Sequence, residues 1–97
     1  MGITIYDDNI HLHGPLGLAA APNGHLLVTN NDGINPDPNQ PSEIVEFTKQ
    51  GEFVKEISVD PAQGGSFGLA VSSTADQAIF AAVDDNTSML IIWTLNL

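Results

Sequence analysis

The chain has 97 residues, 42% of them hydrophobic and 14% charged, which suits a small globular unit and excludes a disordered one. Twelve acidic residues face two basic ones, Lys49 and Lys55, and the formal charge of −10 excludes binding to a phosphate backbone and disfavours anionic membrane surfaces. With no cysteine, disulfides, thiolate metal sites and cysteine nucleophiles are excluded together, and no apolar run approaches the ~18 residues needed to cross a bilayer.

The N-terminus has no basic segment followed by an apolar stretch, so no secretory signal is expected. Met1-Gly2 is followed by Tyr6 where myristoylation wants Ser or Thr. A soluble protein of undetermined compartment is the expectation. "ITIY" (3–6) reads as a strand, with a linker to residue 13. "GLAAA" (17–21) is a small-residue strand suited to a crowded position, and Pro22-Asn23-Gly24 is tight-turn chemistry. "HLLVTN" (25–30) has the apolar run and turn boundaries of a buried strand. "EIVEF" (43–47) alternates Ile44 and Glu46 against Val45 and Phe47, and Lys49-Gln50-Gly51 is a second tight turn. "GEFVKEIS" (51–58) alternates as a half-exposed strand does. "GLAVS" (68–72), "QAIFAAV" (77–83) and "MLIIWTL" (89–95) follow, the last apolar enough to predict burial on both faces. No stretch has a helical period.

These strands repeat. "GPLGLAAAPNGHLLVTNND" (14–32) returns in looser form as "GSFGLAVSSTADQAIFAAVDD" (65–85). Gly17-Leu18-Ala19 matches Gly68-Leu69-Ala70 at an offset of 51, "GHLLVTNND" (24–32) matches "DQAIFAAVD" (76–84) at 52, and "PSEIVEFT" (41–48) matches "TSMLIIWT" (87–94) at 46. The first copy therefore carries an insertion around "INPDPNQ" (34–40), in the Pro/Asn-rich kind of stretch a surface loop tolerates. Four short antiparallel strands recurring every 45–50 residues or so is the pattern of a β-propeller blade. The expected organisation is all-β: a closing strand and linker in 1–13, one blade in 14–60, and a second in 61–97 lacking its outer strand. In repeat numbering "ITIY" falls opposite "VKEI" (54–57), so the missing strand stands at the start of the chain. Two blades cannot close a ring that needs about four to eight. Several copies are therefore expected to associate head to tail, each N-terminal strand completing a neighbour's last blade; three copies would give six blades.

Pro15-Leu16-Gly17-Leu18-Ala19, Asn23-Gly24, "LLVTNND" ending at Asp32 and Ile44-Val45-Glu46-Phe47 resemble the NHL-type propeller repeat. The second copy keeps Gly68-Leu69-Ala70, Asp84 and Ile91-Ile92-Trp93 of that pattern. The resemblance covers nearly the whole chain and implies blades of a six-bladed ring. In similar lactonases and lyases the metal ligands stand just before the Gly-Leu/Ile-Ala strand, where this chain has the apolar Leu16 and Phe67. What the resemblance implies is thus a non-enzymatic module, a scaffold or a unit binding a small molecule or protein, with Leu16 and Phe67 lining or plugging a channel. The alternative it implies is a fragment of a metal-dependent lactonase- or lyase-like enzyme, its ion held near Asn30, Asp32 or Asp84.

Other chemistry finds little support. "TNNDGINPDPN" (29–39) is dense in oxygen ligands, but the calcium-loop pattern would need an acid or amide at Val28 and Glu at Asn39. Turn-forming side-chain bonds explain it better, and Asp32 and Asp84 recur in register as expected caps of the turn after the second strand. His11 and His13 would share one face of an extended stretch and, with a third ligand not identifiable from sequence, could bind zinc or nickel. Otherwise no cofactor is expected. His25 opens a strand and reads as structural. Ser66, Ser72 and Ser73 lie outside any Gly-x-Ser-x-Gly elbow, and "QGGSFG" (63–68) lacks the lysine of a phosphate loop. Asn86-Thr87-Ser88 fits a glycosylation acceptor.

Overall fold

Two hairpin turns of one design set the first sheet. Ala21 and Thr48 each accept a hydrogen bond from the glycine three residues on, Gly24 at 3.0 Å and Gly51 at 3.0 Å. Both glycines hold positive φ, 86° and 89°, which an L side chain rarely adopts. These turns join β1 (Pro15–Ala20) to β2 (Leu26–Asn30) and β3 (Glu43–Phe47) to β4 (Phe53–Ser58). The computed structural model describes residues 2–5, 7, 10–32, 36–73 and 77–96, apart from the side chains of residues 67, 73, 78, 95 and 96. Among them there is no helix. β1 to β4 form an antiparallel meander, and β5 (Ser66–Ser73), β6 (Gln77–Asp84) and β7 (Met89–Asn96) form a second, three-stranded one. The all-β expectation, with four strands and then three, holds.

Register decides which side chains meet. Ala19, Leu27, Glu46 and Lys55 form one cross-strand row, and Gly17, Thr29, Ile44 and Ile57 another on the same face. In the second sheet Leu69, Ala82 and Ile91 share a row, as do Val71, Phe80 and Trp93. These two faces pack together around Leu27, Ile44, Phe80 and Ala82, with Ile57, Leu69, Val71 and Trp93 against them. Phe80 is 2% exposed and stacks on Trp93 at 5.9 Å between ring centroids. Its burial is worth about 1.5–3 kcal/mol.

The opposite faces differ. On the first sheet, Thr4, Ile5 and Leu12 border a groove floored by Leu18, Val28 and Phe47, and the His11 ring stacks on Phe53 at 3.7 Å. The Asn30 side-chain amide donates to the His11 carbonyl at 2.6 Å, fixing this stretch. On the second sheet, Val83, Leu90 and Ile92 face outward, with Leu90 66% and Ile92 60% exposed. Burial of β7 on both faces is therefore not found within one chain. Nor does β3 alternate in exposure: all five of its residues are buried, Glu43 and Glu46 included. Residues 2–5 take no strand conformation and Thr4 and Ile5 lie by β1, so within a single chain they do not pair with β7; Tyr6 is outside the described residues.

Ser42 locks the connection between the sheets. Its carbonyl accepts from Val59 N–H at 3.0 Å, its hydroxyl donates to Ala62 and accepts from Gly65 N–H at 2.9 Å. Gly65 must be glycine here, since a Cβ would fall 2.9 Å from both Asp60 Cβ and Asp84 Oδ1.

Candidate functional site

The chain reversal after β2 rests on Asp32. This residue holds φ at 64°, and its buried carboxylate accepts from Asp37 N–H at 3.0 Å and from the Ser42 N–H. Its own N–H donates to the His13 carbonyl at 2.9 Å, which brings the stretch before β1 against the β2–β3 connection. Asp37 in turn accepts from Asn39 and Gln40 N–H with Oδ1, leaving Oδ2 3.8 Å from His13 Nε2. Glu43, at the start of β3, places Oε1 3.9 Å from the same nitrogen. One ligand atom from each of His13, Asp37 and Glu43 lies within 4.8 Å of the others.

Glu43 is the anomaly of the group. Its side chain is completely buried, yet neither carboxylate oxygen has a hydrogen-bond partner among the described residues. Burial pushes its pKa up to about 8; Asp32 and Glu56 add to this, while its own main-chain N–H and His13 pull the other way by less. At neutral pH the carboxyl therefore keeps its proton, which is how a protein avoids an unpaired buried charge. Buried His13 has Nε2 2.7 Å from the Ile10 carbonyl, an acceptor, so this nitrogen carries a proton.

No family model, curated protein or solved structure matches this chain. Its chemistry has to be read from its own residues. Asp84 in the second sheet is likewise buried and accepts from Asn86 N–H at 3.1 Å, two residues on. Asn86 spends its amide on Asp60 Oδ1 at 3.1 Å and the Gln63 carbonyl at 2.8 Å, so the nitrogen that would carry a glycan is already engaged. The Ala62 N–H and the Asn86 amide, both donating to Asp60, hold its pKa below the ordinary value.

Leu16 is 56% exposed at the rim of the outer groove of the first sheet, and Phe67 lies in β5 with its side chain outside the described residues. Asn30 is fully buried and tied to His11. His11 and His13 diverge, the first onto Phe53 and the second into the Asp37–Glu43 group. His25 pairs with Glu46, which Lys55 also approaches at 4.0 Å. Asp37 and Glu43 escape sequence reasoning because one sits among turn residues and the other in an apparently amphipathic strand. A signal existed: Glu43 stands where the second repeat has Met89.

Proposed function

We propose that the chain is a building block of a β-propeller of NHL type, a non-enzymatic scaffold or binding module whose ring is completed by further copies of itself. The exposed apolar outer face of the second sheet carries this reading. Val83, Leu90 and Ile92 lie side by side on a face whose reverse is already packed, and a contiguous patch of this kind on a small protein marks an interface. Two further features support it. The sheets are consecutive meanders, and the repeat phasing puts residues 3–6 in step with the strand that the second sheet lacks. In the assembled ring residues 3–6 leave the groove of the first sheet and pair with β7 of a neighbour, whose outer face then packs against Leu18, Val28 and Phe47. Head-to-tail contacts of this type close when the rotation per copy permits. The exposed apolar side chain of Leu16, where lactonase-like enzymes place a ligand, weighs against catalysis.

Deleting residues 1–6 tests the strand exchange. Size-exclusion chromatography should show the shortened chain failing to associate while its β-sheet circular dichroism persists. The same oligomer after deletion would contradict the exchange.

A further inference from the structure

Three stretches of chain meet at one point of the first sheet: the residues before β1, the β2–β3 connection and the start of β3. We propose that His13, Asp37 and Glu43 form a binding site for one divalent first-row transition ion, zinc fitting best, with one imidazole nitrogen and two carboxylates as ligands. Self-assembly of the chain is not required for it.

The spacing is close to what an ion would impose. Zinc holds nitrogen and oxygen ligands at about 2.0–2.2 Å, so tetrahedral neighbours stand roughly 3.3–3.6 Å apart. His13 Nε2 is 3.8 Å from Asp37 Oδ2 and 3.9 Å from Glu43 Oε1, each within a few tenths of an ångström of that spacing, and all three groups offer ligand atoms within 4.8 Å of one another. The Glu43 oxygens supply a separate reason. A buried carboxyl whose oxygens have no hydrogen-bond partner among the described residues is costly, and a cation is a ligand that both oxygens can take.

The internal repeat sets these side chains apart from the pattern the two sheets share. At the offsets that align the two copies, His13 corresponds to Gly64 and Glu43 to Met89, while Asp37 falls within the insertion. Two features of the connection recur in both copies: Asp32 matches Asp84, and Ser42 and Ser88 share positive φ at 52° and 58°. The second sheet joins β6 to β7 through the shorter stretch 85–88, without the three ligands. Only the first copy has them, and there they converge.

Donor chemistry selects the ion class. An imidazole disfavours calcium and magnesium, which take oxygen ligands, and two carboxylates balance a divalent charge. The half-buried Asp37, its side chain 20% exposed, gives the ion a way in. Binding requires the proton on His13 Nε2 to leave for solvent, and the metal-bound ring then carries its proton on Nδ1. Any proton on Glu43 is released to solvent.

The experiment is a zinc titration of the chelator-treated full chain, followed by calorimetry and by long-range 1H–15N spectra of the histidine rings. One ion per chain should bind, and the His13 proton should move from Nε2 to Nδ1. Glu43→Gln and Asp37→Asn should each weaken binding by at least ~10–100-fold, the loss typical when a metal site is perturbed, whereas His11→Gln should leave it unchanged. If Glu43→Gln does not fold, Asp37→Asn on the partly exposed connection carries the test alone. Absence of saturable binding, unaltered affinity in these carboxylate variants, or loss of binding in His11→Gln would overturn the proposal.

Discussion

The two sheets are copies of one pattern in different surroundings. The first has its inner face against the second sheet and the outer face of β2 and β3 shielded in part by the stretch holding Ile5, His11 and Leu12, so β2 and β3 are buried almost throughout while Leu18 of β1 stays 64% exposed. The second has only its inner face covered and shows Val83, Leu90 and Ile92 to solvent. The comparison teaches that similar strands do not imply similar burial. What lies over a strand decides its energy, and the second sheet rests on a single shared layer.

Removing that layer should have the largest effect. Phe80→Ala deletes the best-buried ring between the sheets and should cost about 3–5 kcal/mol by chemical denaturation. Hydrogen exchange should then accelerate more in β5–β7 than in β2 and β3; equal acceleration in both would contradict the asymmetry. Gly65→Ala comes next. Its Cβ would meet Asp60 and Asp84 at the junction, and a loss of roughly 1–3 kcal/mol is expected, with an unchanged melting curve counting against the tight junction.

The smallest expected effect per step concerns Glu43, which has no acidic counterpart in the second sheet. In the metal-free protein the folded carboxyl keeps its proton up to about pH 8, while the unfolded one releases it near 4.5. Between those values the folded state holds the extra proton, so stability falls as pH rises, by at most about 1.4 kcal/mol per pH unit. Asp32, Asp37, Glu56 and His13 face this carboxyl and shape the slope. Glu43→Gln should flatten it, as urea unfolding across that range will show; an undiminished slope would remove Glu43 as its source.

The positions of β1 to β7, both glycine turns and the four-then-three count were legible because alternation, Asn-Gly and Gln-Gly turns and an internal repeat are local signals, whereas residues 3–5 of the strand expected at 3–6 take no strand conformation. Burial was not. Glu46 reads as the polar face of a strand, yet it is buried, partnered by His25 just before β2 and approached by Lys55 of β4. Ile92 reads as core, yet it is 60% exposed because its face is not covered by the described residues. The candidate site was half visible: His13 stood out as a ligand type, but Asp37 and Glu43 reach it only through the turn that Asp32 holds.

The most direct test of the proposed shared ring is the molar mass of the intact chain in dilute solution, by light scattering or native mass spectrometry. A multiple of 10.2 kDa is expected, three copies giving six sheets. A mass of 10.2 kDa together with a native β-sheet spectrum would contradict it.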